Sequence, residues 1–332
     1  MKTILKKEVY KIENEFKDVI ENLTYIPISI RNEISKIFSI YTPFKERAYF
    51  FKLILEFFNV DSLWSRMFYL GIEAAFVSYY VKDDIVDNTK GRALGYSNKF
   101  DSCNTFLLYS DILLEVSHGL INSFSENFGK KISVQCFHKA LLQLSLGQLL
   151  SLNKDINKYP TPTELANICY LKSGALYESG VSMLSYFIND SQNIQILKSI
   201  SISLGIGSQI RNDIEDFIIS PVDSNDDSIL EDISNGQANY VLSHFFNDNP
   251  SKIELLEISK YYNKNNYSKV ENQDTIIEIL ESKKSISKSI LDLNELKQRI
   301  NEELYSLLNN DLADVLTKYA NNILSIHPKL NI

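Results

Sequence analysis

The sequence predicts an all-α fold, a single-domain bundle of long helices, on three observations. Glycine and proline are scarce, 11 and 7 in 332 residues, about 5% together where average usage is near 12%. So few turn-formers exclude a sandwich or barrel of many short strands. Apolar residues recur at helical spacing through long segments. No Pro/Gly/Ser-rich linker and no internal repeat divides the chain, so residues 1–332 read as one domain although the length would allow two.

The elements follow in order. Residues 47–60 (Arg-Ala-Tyr-Phe-Phe-Lys-Leu-Ile-Leu-Glu-Phe-Phe-Asn-Val) are apolar nearly all round, as in a helix buried among others. Residues 65–87 form a second long apolar segment that ends in acids, and 133–152 a third. Residues 163–188 are entered through Pro160-Thr161-Pro162-Thr163, proline and a capping hydroxyl ahead of the first apolar turn. Residues 193–219 make a further helix, stopped by Pro221. The acidic stretch 220–228 reads as a surface loop or as a lid beside an acid cluster. Residues 291–324 close the chain with amphipathic helix, read as core packing. The motifs lie within about residues 40–245, and helices in 250–325 belong to the same bundle.

Composition excludes several function classes. A net charge of −8 disfavours nucleic acid as a partner, because phosphate binding calls for a basic surplus. Cys103, Cys136 and Cys169 are odd in number and contain no CxxC, so they predict reduced thiols and no disulfide framework or zinc site. His118, His138, His244 and His327 form no HxxxH pair. The opening Met-Lys-Thr-Ile-Leu-Lys-Lys-Glu has no apolar core, so no signal peptide is expected, and no apolar run approaches the ~18 residues of a membrane span. A soluble, cytoplasmic protein is the expectation.

Two acid clusters carry the chemistry. In Asp83-Asp84-Ile-Val-Asp87, helical spacing puts Asp83 and Asp87 on one stripe with Asp84 beside them. Carboxylates gathered at the end of an apolar helix repel one another and lose hydration. A hard divalent cation such as Mg²⁺ offsets that cost. Asn212-Asp213-Ile-Glu-Asp216 repeats the geometry on another largely apolar helix, with Gln209 one turn before it. A single cluster reads as well as a solvated helix end. A pair predicts two helices meeting across the mouth of a bundle, where carboxylates from facing helices build metal sites open to substrate phosphates.

Smaller matches fall in order around the clusters. Glu73 stands ten residues before Asp83, Arg92 follows the first cluster, and Ser110-Asp111, Gly147-Gln148 and Lys172-Ser173 come next. Gln209-Ile-Arg-Asn-Asp-Ile-Glu-Asp-Phe217 and Asp232-Ile-Ser-Asn-Gly-Gln-Ala-Asn-Tyr240 complete the series. This ordered set resembles the motifs of the trans-isoprenyl diphosphate synthases, the polyprenyl synthetase-like members of the class I isoprenoid synthase superfamily.

The resemblance implies an isoprenoid-synthase bundle around a central apolar pocket. Asp83, Asp84, Asp87, Asn212, Asp213 and Asp216 would hold about three Mg²⁺ ions, Asn212 with less charge than the family's acid. The ions would grip the diphosphate of an allylic prenyl substrate. Arg92, Lys172 and Gln209 would bind the same diphosphate, Lys172 acting with Asp83 and Asp84 in catalysis. Phe76, Ser78, Tyr79, Tyr80 and Gln148 would line the pocket, the aromatic rings facing a carbocation or else packing as core. Bulk at Tyr79 implies a short, C10–C15 chain.

The acceptor side departs from the pattern. The family's G-G-K-R-x-R-P corresponds to Thr42-Pro-Phe-Lys-Glu-Arg-Ala48, both glycines gone. Lys45 and Arg47 remain, as diphosphate-binding cations or as surface charges at a helix start. Phe76 replaces the family's histidine, Ala93 its second arginine and Gln237 its lysine. An allylic site is kept while an isopentenyl diphosphate site is eroded. The acceptor then stays open: isopentenyl diphosphate, a peptide (as in the competence-pheromone isoprenyltransferases, which these residues also resemble) or a small molecule. Transfer is favoured over terpene cyclisation, because Asp216 stands where bacterial cyclases carry Ser or Thr. A non-catalytic regulatory subunit has no need of such acids. The family implies a homodimer.

Overall fold

The computed structural model describes residues 2–41, 46–86, 103–127, 134–152, 155–186, 188–218, 231–262, 273–307 and 310–326. These residues are helical and turn, with no strand among them, as expected. They group into two compact units, Met1–Leu141 with Ser182–Ser191, and Leu142–Val181 with Gln192–Ile332.

The first unit is organised on one buried helix. It contains α1 (Lys2–Glu21), α2 (Ile28–Ile40), α3 (Glu46–Phe57), α4 (Ser62–Val86) and α5 (Cys103–Asn127). Helix α4 packs against each of the other four. Its sequence explains this: from Phe68 to Ser78 every residue is buried, so the helix has no solvent face there. Gly71 lets α5 approach, since a Cβ there would stand 3.0 Å from the Ile121 side chain. The Ser117 hydroxyl uses that closeness to donate to the Gly71 carbonyl at 2.6 Å. Phe68 joins α3 to α5, its ring 5.5 Å from Phe51 and 4.7 Å from Phe124. Phe16 stacks on Phe38 at 3.7 Å to tie α1 to α2.

Helix α6 (Val134–Ser151) precedes α7 (Pro162–Cys169), α8 (Ala175–Leu184), α9 (Ser191–Glu215) and the short α10 (Glu231–Asn235). The chain continues through α11 (Tyr240–Asn247), α12 (Lys252–Ser259), α13 (Gln273–Ser282), α14 (Ser285–Tyr305) and α15 (Asn310–Ile323). Helix α7 starts as the sequence predicts. Thr161 accepts from the Glu164 N–H, Glu164 bonds back to the Thr161 N–H, and Pro162 opens the first turn. Within the second unit α14 packs against α11, α13 and α15.

Two predicted helices are divided. The stretch expected as one helix over 163–188 contains a π turn, Tyr170–Gly174, and α8 ends at Leu184. The π turn lies where backbones touch: a Cβ on Gly147 would come 2.7 Å from the Lys172 nitrogen, and one on Gly205 2.4 Å from the Gly174 Cα. The expected helix over 291–324 starts earlier, at Ser285. It stops at Tyr305, where the N–H groups of Ser306 and Leu307 bond carbonyls only three residues back. Helix α9 ends at Glu215, so Asp216 sits in the turn that follows. Pro221 and the stretch 220–228 lie outside the described residues.

Candidate active site

In the first unit the acids stand at the end of α4. Asp83 and Asp84 are half-buried in its last turn, below the buried Val81. The Asp84 Oδ2 accepts a hydrogen bond from the Tyr41 hydroxyl at 2.8 Å. Lys82 points to another partner, its ammonium 2.9 Å from Asp111 on α5. Asp87, Arg92 and Lys45 lie outside the described residues.

Arg47 is buried, which sets aside the surface-charge reading. Its guanidinium lies 4.4 Å from the Phe76 ring centre and 4.9 Å from that of Tyr80, and it donates to the Tyr80 hydroxyl. Such contacts contribute from about 0.5 kcal/mol when exposed to about 2 when desolvated. The two rings therefore already carry a cation. Beside them the fully buried Glu73 accepts from the Ala48 N–H at 2.8 Å, joining α4 to the start of α3. Ser78 is fully buried, and the Tyr79 hydroxyl donates to the Leu141 carbonyl at 2.7 Å, which fixes the ring.

The second unit gathers a different set. The Asp213 Oδ2 accepts from the Tyr240 N–H at 2.7 Å. The Asn239 amide donates to Asp232 Oδ2 at 2.7 Å and to the Asp213 carbonyl at 3.2 Å, holding the two acids close. Burial pushes the Asp213 carboxyl well above the usual carboxylate range, and the Asp232 charge adds to the shift. The Tyr240 N–H and the Lys172 ammonium act in the opposite direction. Lys172 thus comes within electrostatic reach of Asp213, presented by the π turn. Rare π turns recur at functional sites because one extra residue per turn re-aims a side chain.

The remaining candidates are placed as follows. The Asn212 amide oxygen accepts from the Arg211 guanidinium at 2.9 Å, and Arg211 also donates to the Ile323 carbonyl. Asp216 and Gln209 are half-buried. Gln148 is half-buried next to Gly147, and its carbonyl accepts from the Ser151 hydroxyl at 2.8 Å.

The donor chemistry fits a hard divalent cation. All candidate ligands offer oxygen, and the half-buried Asp213 and Asp232 carboxyls stand close enough that such an ion would offset their repulsion. Among the described residues no three His, Cys, Asp or Glu side chains form a closed metal cluster. Tyr41, Asp232, Asn239 and the Tyr240 N–H were not among the site residues expected from sequence. Asp232 and Asn239 lay inside a matched motif, whereas Tyr41 had no signal.

A helical fold in which acid runs close two long apolar helices is that of the isoprenoid synthases. The family model for polyprenyl synthetases matches residues 47–280. A geranylgeranyl pyrophosphate synthase of Dictyostelium discoideum is 26% identical over 250 residues, 72% of this chain and 76% of that one. Among solved structures, a geranylgeranyl pyrophosphate synthetase from Pyrococcus horikoshii aligns over 97% of each chain with a TM-score of 0.77 and 20% identity. A polyprenyl synthase from Caulobacter crescentus, complexed with calcium and isoprenyl diphosphate, aligns over 98% of this chain and 97% of its own at a TM-score of 0.77 and 12% identity. The chain belongs to the polyprenyl synthetase family, and it is a prenyltransferase. No helix among the described residues is long and apolar enough to cross a membrane.

Proposed function

We propose that this prenyltransferase ionises an allylic prenyl diphosphate in a Mg²⁺-dependent reaction and transfers the prenyl group with release of pyrophosphate. The observation that carries this is the grouping of Asp213, Asp232 and Lys172: a half-buried acid pair, joined through Asn239, that a divalent ion would relieve, with a cation suited to a diphosphate in electrostatic reach. The family model crosses from one compact unit to the other, which supports treating 1–332 as one catalytic domain. Bound Mg²⁺ would neutralise the charge that develops on the leaving pyrophosphate. Asp83, Asp84, Asp87, Asp213 and Asp216 are the proposed ligands. Asn212 is the weakest member of that set, since its amide oxygen already serves Arg211. Lys172, Arg92 and Gln209 would hold the diphosphate, the cations by charge-assisted hydrogen bonds. Free thiols at Cys136 and Cys169 suit a reducing compartment, and the cytoplasm is the proposed location.

The acceptor site is the part most altered. Arg47 is committed to Phe76 and Tyr80, and Phe76 itself fills a position where the family has a histidine. This supports an acceptor without a diphosphate. Similarity to two geranylgeranyl pyrophosphate synthases favours the second reading, elongation with isopentenyl diphosphate. Incubation with geranyl, farnesyl and geranylgeranyl diphosphates, each with and without isopentenyl diphosphate, separates the two. Pyrophosphate release with little elongated product supports the first reading. Efficient elongation would overturn it in favour of the second.

We further propose a homodimer built on α6. Leu142, Leu146, Leu149 and Leu150 follow helical spacing and are each at least 43% exposed, a leucine stripe that a second copy would cover. The double variant L146K/L149K is expected to sediment as a monomer where the native chain sediments as a dimer. A native chain that sediments as a monomer would defeat the proposal.

A further inference from the structure

Tyr41 sits where α2 ends. Its N–H bonds the Ile37 carbonyl at 3.0 Å, and its backbone then turns to an extended conformation. The side chain is only 1% exposed. A phenol hydroxyl at that depth needs a partner, and here the partner is the Asp84 carboxylate at 2.8 Å. A hydroxyl donating to a carboxylate makes a charge-assisted bond, roughly twice as strong as a neutral one. It fixes the rotation of the carboxylate plane by committing Oδ2 to the phenol.

A second contact holds the same end of α4. One turn before Asp84, Tyr80 accepts from Arg47, and at mid-helix Glu73 accepts from the Ala48 N–H. Tyr41 and Arg47 stand five intervening residues apart, and through Asp84 and Tyr80 both bond the last turns of the helix that carries the acids.

We propose that Tyr41 is a positioning residue that orients the Asp84 carboxylate for its metal. This rests on the reading of Asp84 as a metal ligand. Groups that hydrogen-bond to metal ligands contribute about 10–100-fold to metal affinity, and loss of this one should fall near tenfold. Tyr41→Phe removes the hydroxyl and keeps every ring contact.

The test is direct titration of Mn²⁺ into the protein with inorganic pyrophosphate present, free Mn²⁺ being read by electron paramagnetic resonance, beside thermal melting without metal. The native chain should bind Mn²⁺, and Tyr41→Phe should bind it about tenfold more weakly with little change in melting temperature. Saturating Mg²⁺ should then return the variant's turnover towards the native value. Equal Mn²⁺ affinity in the two proteins would overturn the proposal. No Mn²⁺ binding by the native chain, or unchanged binding by Asp84→Ala, would instead overturn the metal reading on which it rests. A readout that needs no loss of the hydroxyl is 3-fluorotyrosine placed at residue 41. Its fluorine resonance should move when Mg²⁺ and pyrophosphate are added, and a resonance that stays put would count against the proposal even if Tyr41→Phe failed to fold.

Discussion

Asp83→Ala and Asp84→Ala should each lower pyrophosphate release from an allylic diphosphate by about a thousandfold or more, while the far-ultraviolet spectrum stays native. The size follows from the role. A group that stabilises the charge of a leaving pyrophosphate through a metal contributes several kcal/mol to the barrier, and about 4 kcal/mol is a thousandfold. The fold should tolerate the change because both side chains are only half-buried in the last turn of α4, beyond the segment that forms the core. Removing Asp83 relieves repulsion between adjacent carboxylates, so that variant should melt without metal at or slightly above the native temperature, whereas Asp84→Ala takes an acceptor from the buried Tyr41 hydroxyl and should melt somewhat lower. Steady-state pyrophosphate release and thermal melting on the same preparations check both parts. Near-native release in either variant would remove the first acid cluster from the reaction.

Gly205→Ala should have the next largest effect, through the backbone. The added Cβ would lie 2.4 Å from the Gly174 Cα, 2.5 Å from the Gly174 nitrogen and 3.0 Å from the Ser173 carbonyl carbon. None of these can rotate away, so the π turn must shift. Overpacking of this kind costs about 1–3 kcal/mol, and displacement of Lys172 should cost a further loss of activity, about a hundredfold for a shift near 1 Å. Gly119→Ala on α5 is the matched control. Nothing lies within 4 Å of its Cβ, and alanine favours helix over glycine by about 1 kcal/mol, so that variant should melt no lower than the native chain. Melting curves and release rates for the pair decide the matter. A Gly205→Ala variant with native stability and rate would show that the close contact does not position Lys172.

Local spacing made part of this legible in the sequence. Asp83-Asp84 and Asp213 stand out because acids closing an apolar helix break its pattern. The Thr161 cap was readable because its partner, Glu164, is three residues away. Contacts across long separations gave no such signal. Tyr41 meets Asp84 across 43 residues, and Arg47 meets Tyr80 across 33. Neither Tyr41 nor the buried state of Arg47 could be read from neighbouring residues. The π turn was hidden for another reason: one extra residue per turn barely disturbs the apolar period between Leu165 and Leu184. Helix α1 carries a mixed signal. Ile12, Phe16, Val19 and Ile20 are buried at helical spacing, amid charges that make the segment resemble a surface stretch.

Pyrophosphate release from the native chain without any added acceptor isolates metal-assisted ionisation of an allylic diphosphate. Geranyl or farnesyl diphosphate should release pyrophosphate with Mg²⁺, water capturing the prenyl cation in the acceptor's place, and should cease to do so with a chelator. Isopentenyl diphosphate alone, whose double bond cannot stabilise the cation, should release none. Silence towards every allylic diphosphate in the presence of Mg²⁺, or release that a chelator leaves unchanged, would contradict it.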